Sequence, residues 1–235
     1  GGIDCWRFSP DGAKAATGGE DRCVCLWDAR FPAQAPRESE SSEPIWRSRP
    51  FESELYHLRS VFDVAFSPDG RWISAACENV RIGLYDARDG RLSSESSTAT
   101  PGRLCFSGDG RLLLVASKYF HFTTMWRIEE DASGGRLVRE SVPTGPGLHH
   151  TNSMTSIAAA ARAARMVTGS LDKSVRLWDL DRRECLATYV GHTDRILDAD
   201  ISSDGERIVS ASSDGTARLW PGDLLSTARQ WEPSA

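Results

Sequence analysis

The feature that most constrains the fold is a pattern that occurs twice, 42 residues apart. The first copy runs from His150 to Asp179 and the second from His192 to Pro221, and the two align without a gap. The shared polar positions are His150, Thr168, Asp172 and Trp178 in the first copy, and His192, Ser210, Asp214 and Trp220 in the second. A period of this length predicts a repeat protein in which each copy buries its apolar surface against its neighbours.

These four residue types can satisfy one another's hydrogen bonds. Imidazole donates at one nitrogen and accepts at the other, a hydroxyl does both, indole only donates and carboxylate only accepts. Buried together, they hold a local geometry in place. A histidine, a hydroxyl and a carboxylate also compose hydrolase triads, but no Gly-x-Ser-x-Gly motif accompanies them and the same trio recurs in both copies. The pattern therefore predicts structural networks, with no catalytic residue, cofactor or metal.

Short motifs at the borders of the repeats indicate a family. Gly191-His192 forms a Gly-His pair, and Trp27-Asp28 and Trp178-Asp179 form Trp-Asp pairs. With these motifs the chain resembles the WD40 repeat family, which implies an all-β propeller of four-stranded antiparallel blades around a central channel. The resemblance also implies that each polar quartet lies inside one blade. The matching positions in the first repeat are Thr17, Asp21 and Trp27.

Five repeats account for the chain as a single propeller domain. They cover residues of about 1-50, 51-96, 97-148, 149-190 and 191-235. The histidine of the first repeat would fall before Gly1, and WD-repeat propellers most often close with seven blades. We therefore expect five four-stranded blades of a seven-bladed ring that is truncated at its N-terminus. Asn79 and Tyr85 replace aspartate and tryptophan in the second repeat, and Phe120 replaces aspartate in the third, so these two networks should be incomplete.

Three segments need separate interpretation. Residues 31–50 are rich in proline, serine and glutamate without periodicity, which predicts a long solvated loop. The alanine-rich run from Ala158 to Ala164 has helical propensity, but its register with the neighbouring copy favours a β-hairpin. The C-terminal tail has room for one outer strand, at about Thr227 to Trp231.

Composition narrows the range of functions. A formal net charge of -5 and a pI near 5.6 argue against direct binding to nucleic acid or to anionic membranes. The sequence has no run of eighteen apolar residues that would span a bilayer. Its six cysteines form no Cys-x-x-Cys motif, which favours free thiols and a reducing compartment, the cytoplasm or the nucleus.

The sequence predicts a non-catalytic protein–protein interaction scaffold, one subunit of a larger intracellular complex. A narrower hypothesis comes from Asp-Ala-Arg, which ends the first two repeats at Arg30 and Arg88. This resembles the W-D-x-R box of substrate receptors of cullin-type ubiquitin ligases, where the arginines dock on the ligase adaptor. Each arginine could instead cap the aspartate of its own box, Asp28 or Asp86. A third hypothesis is a propeller subunit of an RNA-processing or ribosome-assembly particle.

Overall fold

The computed structural model describes residues 2–30, 43–49, 60–77, 81–98, 101–117, 119, 121–132, 134–140 and 149–222. These residues form antiparallel sheets whose strands follow one another in chain order. Sheet 1 contains β1 (Ile3–Phe8), β2 (Lys14–Gly19), β3 (Val24–Asp28) and β4 (Trp46–Arg47). Sheet 2 contains β5 (Val61–Phe66), β6 (Trp72–Cys77), β7 (Arg81–Asp86) and β8 (Leu92–Ser97).

The remaining sheets repeat this plan. Sheet 3 contains β9 (Pro101–Phe106), β10 (Leu112–Ser117), β11 (Thr123–Asp131) and β12 (Gly134–Arg139). Sheet 4 contains β13 (Met154–Ala159), β14 (Arg165–Ser170), β15 (Ser174–Asp179) and β16 (Glu184–Val190). Sheet 5 contains β17 (Ile196–Ile201), β18 (Arg207–Ser212) and β19 (Ala217–Pro221) within the described residues. The all-β prediction is confirmed.

The first hairpin of most sheets closes with the same turn. In sheet 1 the Ser9 hydroxyl donates to Asp11 Oδ1 (2.5 Å) and accepts from the Lys14 amide (2.9 Å). Gly12 follows with a φ of 70°, a backbone conformation that glycine adopts without steric cost. Sheet 4 lacks this turn sequence, yet β13 and β14 still pair as an antiparallel hairpin across the alanine-rich run. The hairpin predicted there from the repeat register is therefore confirmed over the helical propensity of the alanine run.

The sheets stand side by side around a common centre. The first strands β1, β5, β9, β13 and β17 contact one another in that order, so each sheet directs its first strand inward. The hydrophobic core lies in layers between neighbouring sheets. At the junction of sheets 4 and 5, for example, Val167 and Leu177 pack with Ile196 and Ile208, and all four are fully buried. This radial arrangement is that of a β-propeller.

Both ends of the array expose apolar faces. On sheet 5, Val209 and Leu219 are 45% and 72% exposed. Their counterparts 42 residues earlier, Val167 and Leu177, are fully buried beneath sheet 5. At the opposite end, Trp6 and Phe8 of β1 form an exposed edge-to-face pair with ring centroids 5.4 Å apart. The two end faces therefore have the apolar character of the internal junctions, and the side chains named on them are exposed among the described residues.

One predicted loop is partly wrong. Trp46 and Arg47, inside the predicted loop 31–50, form the fourth strand of sheet 1. The cause is a tertiary contact, because the Trp46 indole donates to the Ala87 carbonyl (3.2 Å) and stacks on Tyr85. Residues 31–42 and the predicted strand at Thr227–Trp231 lie outside the described residues. No helix in the described part of the chain is long and apolar enough to cross a membrane.

Candidate functional site

The polar quartet of sheet 4 forms one continuous hydrogen-bonded network. The Trp178 indole donates to Thr168 Oγ1 (2.8 Å), and Thr168 Oγ1 lies 2.7 Å from His150 Nε2. His150 Nδ1 lies 2.9 Å from Asp172 Oδ2. Because carboxylate only accepts, Nδ1 must donate, and a neutral imidazole then accepts the threonine proton at Nε2. Every donor in this path from tryptophan to aspartate has an acceptor.

Two further groups complete the acceptor positions of Asp172. The Ser174 hydroxyl donates to Asp172 Oδ1 (2.6 Å), and the Thr151 amide donates to Oδ2 (3.0 Å). Burial of Asp172 opposes its ionisation, but hydrogen bonds from His150 and Ser174 outweigh this effect and hold its pKa well below the usual value. The carboxylate is therefore ionised at neutral pH and accepts hydrogen bonds from His150, Thr151 and Ser174.

Sheet 5 repeats this geometry. His192 Nδ1 lies 2.8 Å from Asp214 Oδ2, and His192 Nε2 lies 2.9 Å from Ser210 Oγ. The Trp220 indole donates to the same Ser210 oxygen (2.8 Å). Thr216 takes the place of Ser174, and its hydroxyl donates to Asp214 Oδ1 (2.7 Å). The Thr216 hydrogen bond, followed by that of His192, lowers the pKa of Asp214 despite the opposing cost of burial.

Burial separates these networks from the chemistry of a catalytic triad. A nucleophilic hydroxyl must reach a substrate, whereas the side chains of Thr168 and Ser210 are both buried. The Thr168 hydroxyl is also engaged by His150 and by the Trp178 indole inside the blade. These groups are consequently suited to hold strands together, and they present no reactive atom at the surface.

Sheet 1 holds a reduced network. The Trp27 indole donates to Thr17 Oγ1 (2.8 Å), as in sheets 4 and 5. Asp21 accepts from the Cys23 amide (3.1 Å) and pairs with Arg47 of β4 at 2.7 Å. The arginine from the outer strand thus supplies a cationic partner to this aspartate, which the linear spacing of the repeat did not indicate.

The other two sheets differ from sheets 4 and 5, and only part of each is described. Asn79 and Phe120 lie outside the described residues, so the predicted defects at these positions stay predictions. Tyr85 replaces tryptophan and is buried, with a pKa raised by desolvation. In sheet 3 the Trp126 indole lies 3.3 Å from Thr124 Oγ1 on its own strand, a different partner from the one used in sheets 4 and 5.

Arg30 and Arg88 adopt the same conformation at the ends of adjacent sheets. Arg30 Nε and Nη2 donate to Asp28 at 2.9 and 2.5 Å. Arg88 Nε and Nη2 donate to Asp86 at 3.0 and 2.6 Å. Each guanidinium lies at the surface, and the Arg88 hydrogen bond lowers the pKa of Asp86 to about 2. The arrangement is the self-capping alternative, with most of each arginine still open to solvent.

The described residues contain no group of three or more histidine, cysteine, aspartate or glutamate side chains placed to hold a metal ion. The cysteines are free thiols, of which Cys185 is exposed and Cys105 is half-buried. Burial, the largest influence, raises the pKa of Cys5 to about 12, so that thiol stays protonated and unreactive.

The sheets form a radial array, and sheets 4 and 5 each contain a Trp–hydroxyl–His–Asp hydrogen-bonded network. This combination defines a propeller of the WD-repeat class. The chain belongs to the WD40 family: the family described as "WD domain, G-beta repeat" matches residues 1–28, 52–82, 145–179 and 183–221. Members of this class generally act as non-catalytic modules that mediate protein–protein interactions.

Curated relatives and a solved structure agree with this assignment. WD repeat-containing protein 26 homolog of Arabidopsis thaliana is 27% identical over 234 residues, which are 97% of this chain and 35% of that protein. Periodic tryptophan protein 2 of Saccharomyces cerevisiae is 31% identical over 181 residues, 74% of this chain and 19% of that protein. The chain thus spans well under two thirds of either relative. The Cps50 (Swd1) beta-propeller domain of Myceliophteria thermophila superposes with a TM-score of 0.72 at 19% identity, covering 94% of this chain and 65% of that one, which shows the shared fold.

Proposed function

We propose that this chain is a non-catalytic interaction scaffold, one subunit of a larger assembly in the cytoplasm or nucleus. The observation that carries the proposal is the burial of the polar networks inside a WD-repeat propeller, since Thr168 and Ser210 present no reactive atom at the surface. Trp6 and Phe8, 57% and 55% exposed among the described residues, add apolar surface that a further sheet or a protein partner can cover.

The end faces offer substantial binding energy. Burial of apolar surface contributes about 25 cal/mol per Å², and an aromatic side chain buries about 150–250 Å² when fully covered. Covering Trp6 and Phe8 therefore offers several kcal/mol before the entropic cost of association. Aromatic side chains are also the residues that most often dominate interface energetics. These side chains supply the kind of surface that a further sheet of the same ring or a stable protein partner covers.

The internal networks supply the rigidity that a scaffold needs. Each complete network connects a residue before the first strand of its sheet to a tryptophan on the third strand, as His150 and Trp178 show in sheet 4 through Thr168. Loops held by such a frame stay in fixed positions, which reduces the entropy lost when a partner binds. Buried, protonated thiols such as Cys5 support the placement in a reducing compartment.

The test compares charged substitutions on and off an end face. Tagged wild-type chain, the double variant Trp6→Glu with Phe8→Glu, and Val190→Glu would be expressed in the source cells. Val190 is a matched control because it is 75% exposed on an outer strand. Quantitative mass spectrometry should show a stable set of co-purifying proteins that only the double variant loses, with circular dichroism confirming that every variant folds. Equal recovery with all three chains would refute the role of this face.

Arg30 and Arg88 support a second, narrower candidate, the substrate receptor of a cullin-type ubiquitin ligase. Their guanidinium groups are held in one conformation on adjacent sheets and are each 76% exposed. Pairing with Asp28 and Asp86 orients the two guanidinium groups, and the remaining N–H groups of each can donate to a further carboxylate.

This candidate is tested by reconstitution with purified ligase adaptor. Arg30→Ala with Arg88→Ala should abolish binding, whereas Arg111→Ala, at another exposed arginine, should leave it unchanged. Adaptor binding that survives the double substitution would discard the receptor role. The third hypothesis, an RNA-processing or ribosome-assembly particle, stays a prediction that associated RNA in the purified complex would support.

A further inference from the structure

The first-hairpin turn of sheet 4 departs from the corresponding turns of the other sheets. In sheets 1, 2, 3 and 5 an aspartate accepts the hydroxyl of a serine two residues before it, as Asp109 and Ser107 show in sheet 3 at 2.6 Å. Sheet 4 has Ala160 in place of the serine and Arg162 in place of the aspartate, and four of the five residues from 160 to 164 are alanine. This turn therefore lacks the side-chain hydrogen bond of the others and is largely apolar.

The turn that follows the third strand of sheet 4 also departs from its counterparts. Sheets 1 and 2 have Asp-Ala-Arg here, whereas sheet 4 has Asp-Leu-Asp. The Leu180 amide donates to the Ala164 carbonyl of the first-hairpin turn (2.9 Å), as the alanine amide of each Asp-Ala-Arg turn does in its own sheet (2.9 Å). Leu180 thus takes the alanine position, and Asp181 takes the position of Arg30 and Arg88. The charge at the end of this third strand is reversed from positive to negative.

These departures meet at one cavity at the junction of sheets 3 and 4. Its volume of about 320 Å³ lies within the range of about 300–1,000 Å³ that is usual for ligand pockets. The apolar part of its lining comes from both sheets and consists of Leu112, Ala161, Ala163, Ala164 and Leu180. A larger apolar residue and an alanine-rich turn thus replace polar groups at the same place.

Backbone contacts fix the walls of this cavity. A methyl group on Gly108 would lie 2.3 Å from the Ala160 carbonyl oxygen, so the turns of sheets 3 and 4 are in direct backbone contact. The Arg162 amide donates to the Ser203 carbonyl of sheet 5 (2.8 Å), which ties the alanine-rich turn to the sheet on its other side. A ligand that enters a site fixed in this way loses little free energy in ordering it.

The charged groups of the lining leave an excess of negative charge. Asp109 and Asp181 are exposed carboxylates, and Arg162 is the cation among the lining residues. Asp109 Oδ2 lies 3.8 Å from Arg111 Nε, which is longer than a hydrogen bond. The Asp181 amide donates to Asp179 (2.9 Å), while the Asp181 carboxylate has no hydrogen-bonded or ion-paired partner within the part of the chain that the structure describes. Both carboxylates can therefore accept donors from another molecule.

We propose that this cavity binds a lysine side chain of a protein partner, with the methylene stem against Leu112, Leu180 and the alanines and the ammonium group toward Asp109 and Asp181. Lysine covers apolar surface with its stem while its charged end stays in water, which matches an apolar floor with carboxylates at the rim. Its compact ammonium group can donate to two carboxylates without the planar geometry that arginine requires. The proposal rests on the interaction role and deepens it, since it names the chemistry that one site recognises.

The experiment uses blocked amino acids as probes of the full chain. N-acetyl-lysine methylamide would be titrated at low ionic strength, with binding followed by NMR of the alanine methyl groups of Ala161, Ala163 and Ala164. The norleucine analogue keeps the stem without the ammonium group and should bind about two- to fivefold more weakly, the change expected for one exposed ion pair. The diaminopropionate analogue keeps the ammonium group on a shorter stem and should lose at least about fivefold.

Matched variants assign the binding to the cavity. Asp181→Asn and Asp109→Asn should each weaken the lysine probe about two- to fivefold and leave the norleucine probe unchanged. Arg162→Gln should strengthen the lysine probe, because it removes the opposing charge. Asp69→Asn is the control: it changes the equivalent turn aspartate of sheet 2, which also accepts a serine hydroxyl, and should alter neither probe.

Other outcomes overturn the proposal. Absent saturation by the lysine probe, or equal binding by wild type and Asp181→Asn, would refute the site. Equal affinity for the lysine and norleucine probes would leave an apolar cavity without preference for a cation. Weaker binding after Arg162→Gln would assign the cavity to an anion. Co-purifying partners without probe binding would refute this site and leave the scaffold role standing, whereas probe binding without any co-purifying partner would do the reverse.

Discussion

Replacing Asp172 with alanine should destabilise the protein far more than an ordinary surface substitution. Asp172 is the last acceptor of the network in sheet 4, and its side chain is only 7% exposed. It accepts from His150, Ser174 and the Thr151 amide. Alanine removes both oxygens without changing the backbone, so every one of these donors loses its acceptor at once.

The size of the effect follows from which donors can reach water. Thr151 is exposed, so its amide can bond to solvent, whereas the His150 ring is fully buried. An unpaired buried donor costs about 1–3 kcal/mol. Because the Ser174 hydroxyl also loses its acceptor, we expect Asp172→Ala to lower the free energy of unfolding by about 2–3 kcal/mol. For a chain of this size that corresponds to roughly 5–10 °C in Tm.

Urea unfolding followed by tryptophan fluorescence, together with thermal melts, measures this loss. The urea midpoint should fall while the slope stays constant, because the surface exposed on unfolding does not change. Asp204→Ala is the matched control. Asp204 also accepts a serine hydroxyl and a backbone amide, but it lies in an exposed turn where water can replace it. An equal loss in both variants, or a negligible loss in Asp172→Ala, would refute the buried network as a source of stability.

Three further predictions use the same stability assays. The pKa of Asp172 is lowered from its ordinary value of 3.8, so its ionised form stabilises the fold at neutral pH and this contribution is lost in acid. The stability difference between wild type and Asp172→Asn should therefore shrink as the pH falls below about 4, and a constant difference would contradict this. Leu177→Ala should lower the free energy of unfolding by about 2–5 kcal/mol because Leu177 is fully buried. Leu219→Ala, at the equivalent exposed position, should lower it much less. Similar losses in urea titrations would be inconsistent with an exposed Leu219. Gly169→Ala would place a methyl carbon 2.6 Å from Ile196 Cγ2, so we expect the free energy of unfolding to fall by about 1–3 kcal/mol. An unchanged melting temperature would show that sheets 4 and 5 can move apart without an energetic cost.

Features that lie within one repeat could be predicted from the chain alone. The spacing of His150, Thr168, Asp172 and Trp178 brings these side chains together because one antiparallel sheet folds this stretch back on itself. The recurrence at His192 identifies the same arrangement in the next sheet. Ser174 and Thr216 were missed, although both lie two residues after their aspartates and donate to them. That shared offset was a detectable signal in the sequence.

Contacts between repeats could not be predicted in the same way. The position of Trp46 against Tyr85 turned part of a predicted loop into a strand, and nothing in the proline- and serine-rich sequence around it indicates that contact. Arg47 pairs with Asp21 across 26 residues for the same reason. Such pairings depend on how an outer strand packs against its own and the neighbouring sheet, which local periodicity does not encode.

The sequence by itself determined the repeat, the all-β fold, the turns and the internal networks, because each of these depends on residues that are close along the chain and constrained by strand geometry. The tertiary structure alone decided that Arg7, Asp63 and Arg103 meet at the channel, and that Leu219 stays exposed where Leu177 is buried. The physical reason is that a radial array brings residues of different sheets together according to their position around the common centre, while equivalent residues in the sequence meet different neighbours inside the array and at its ends.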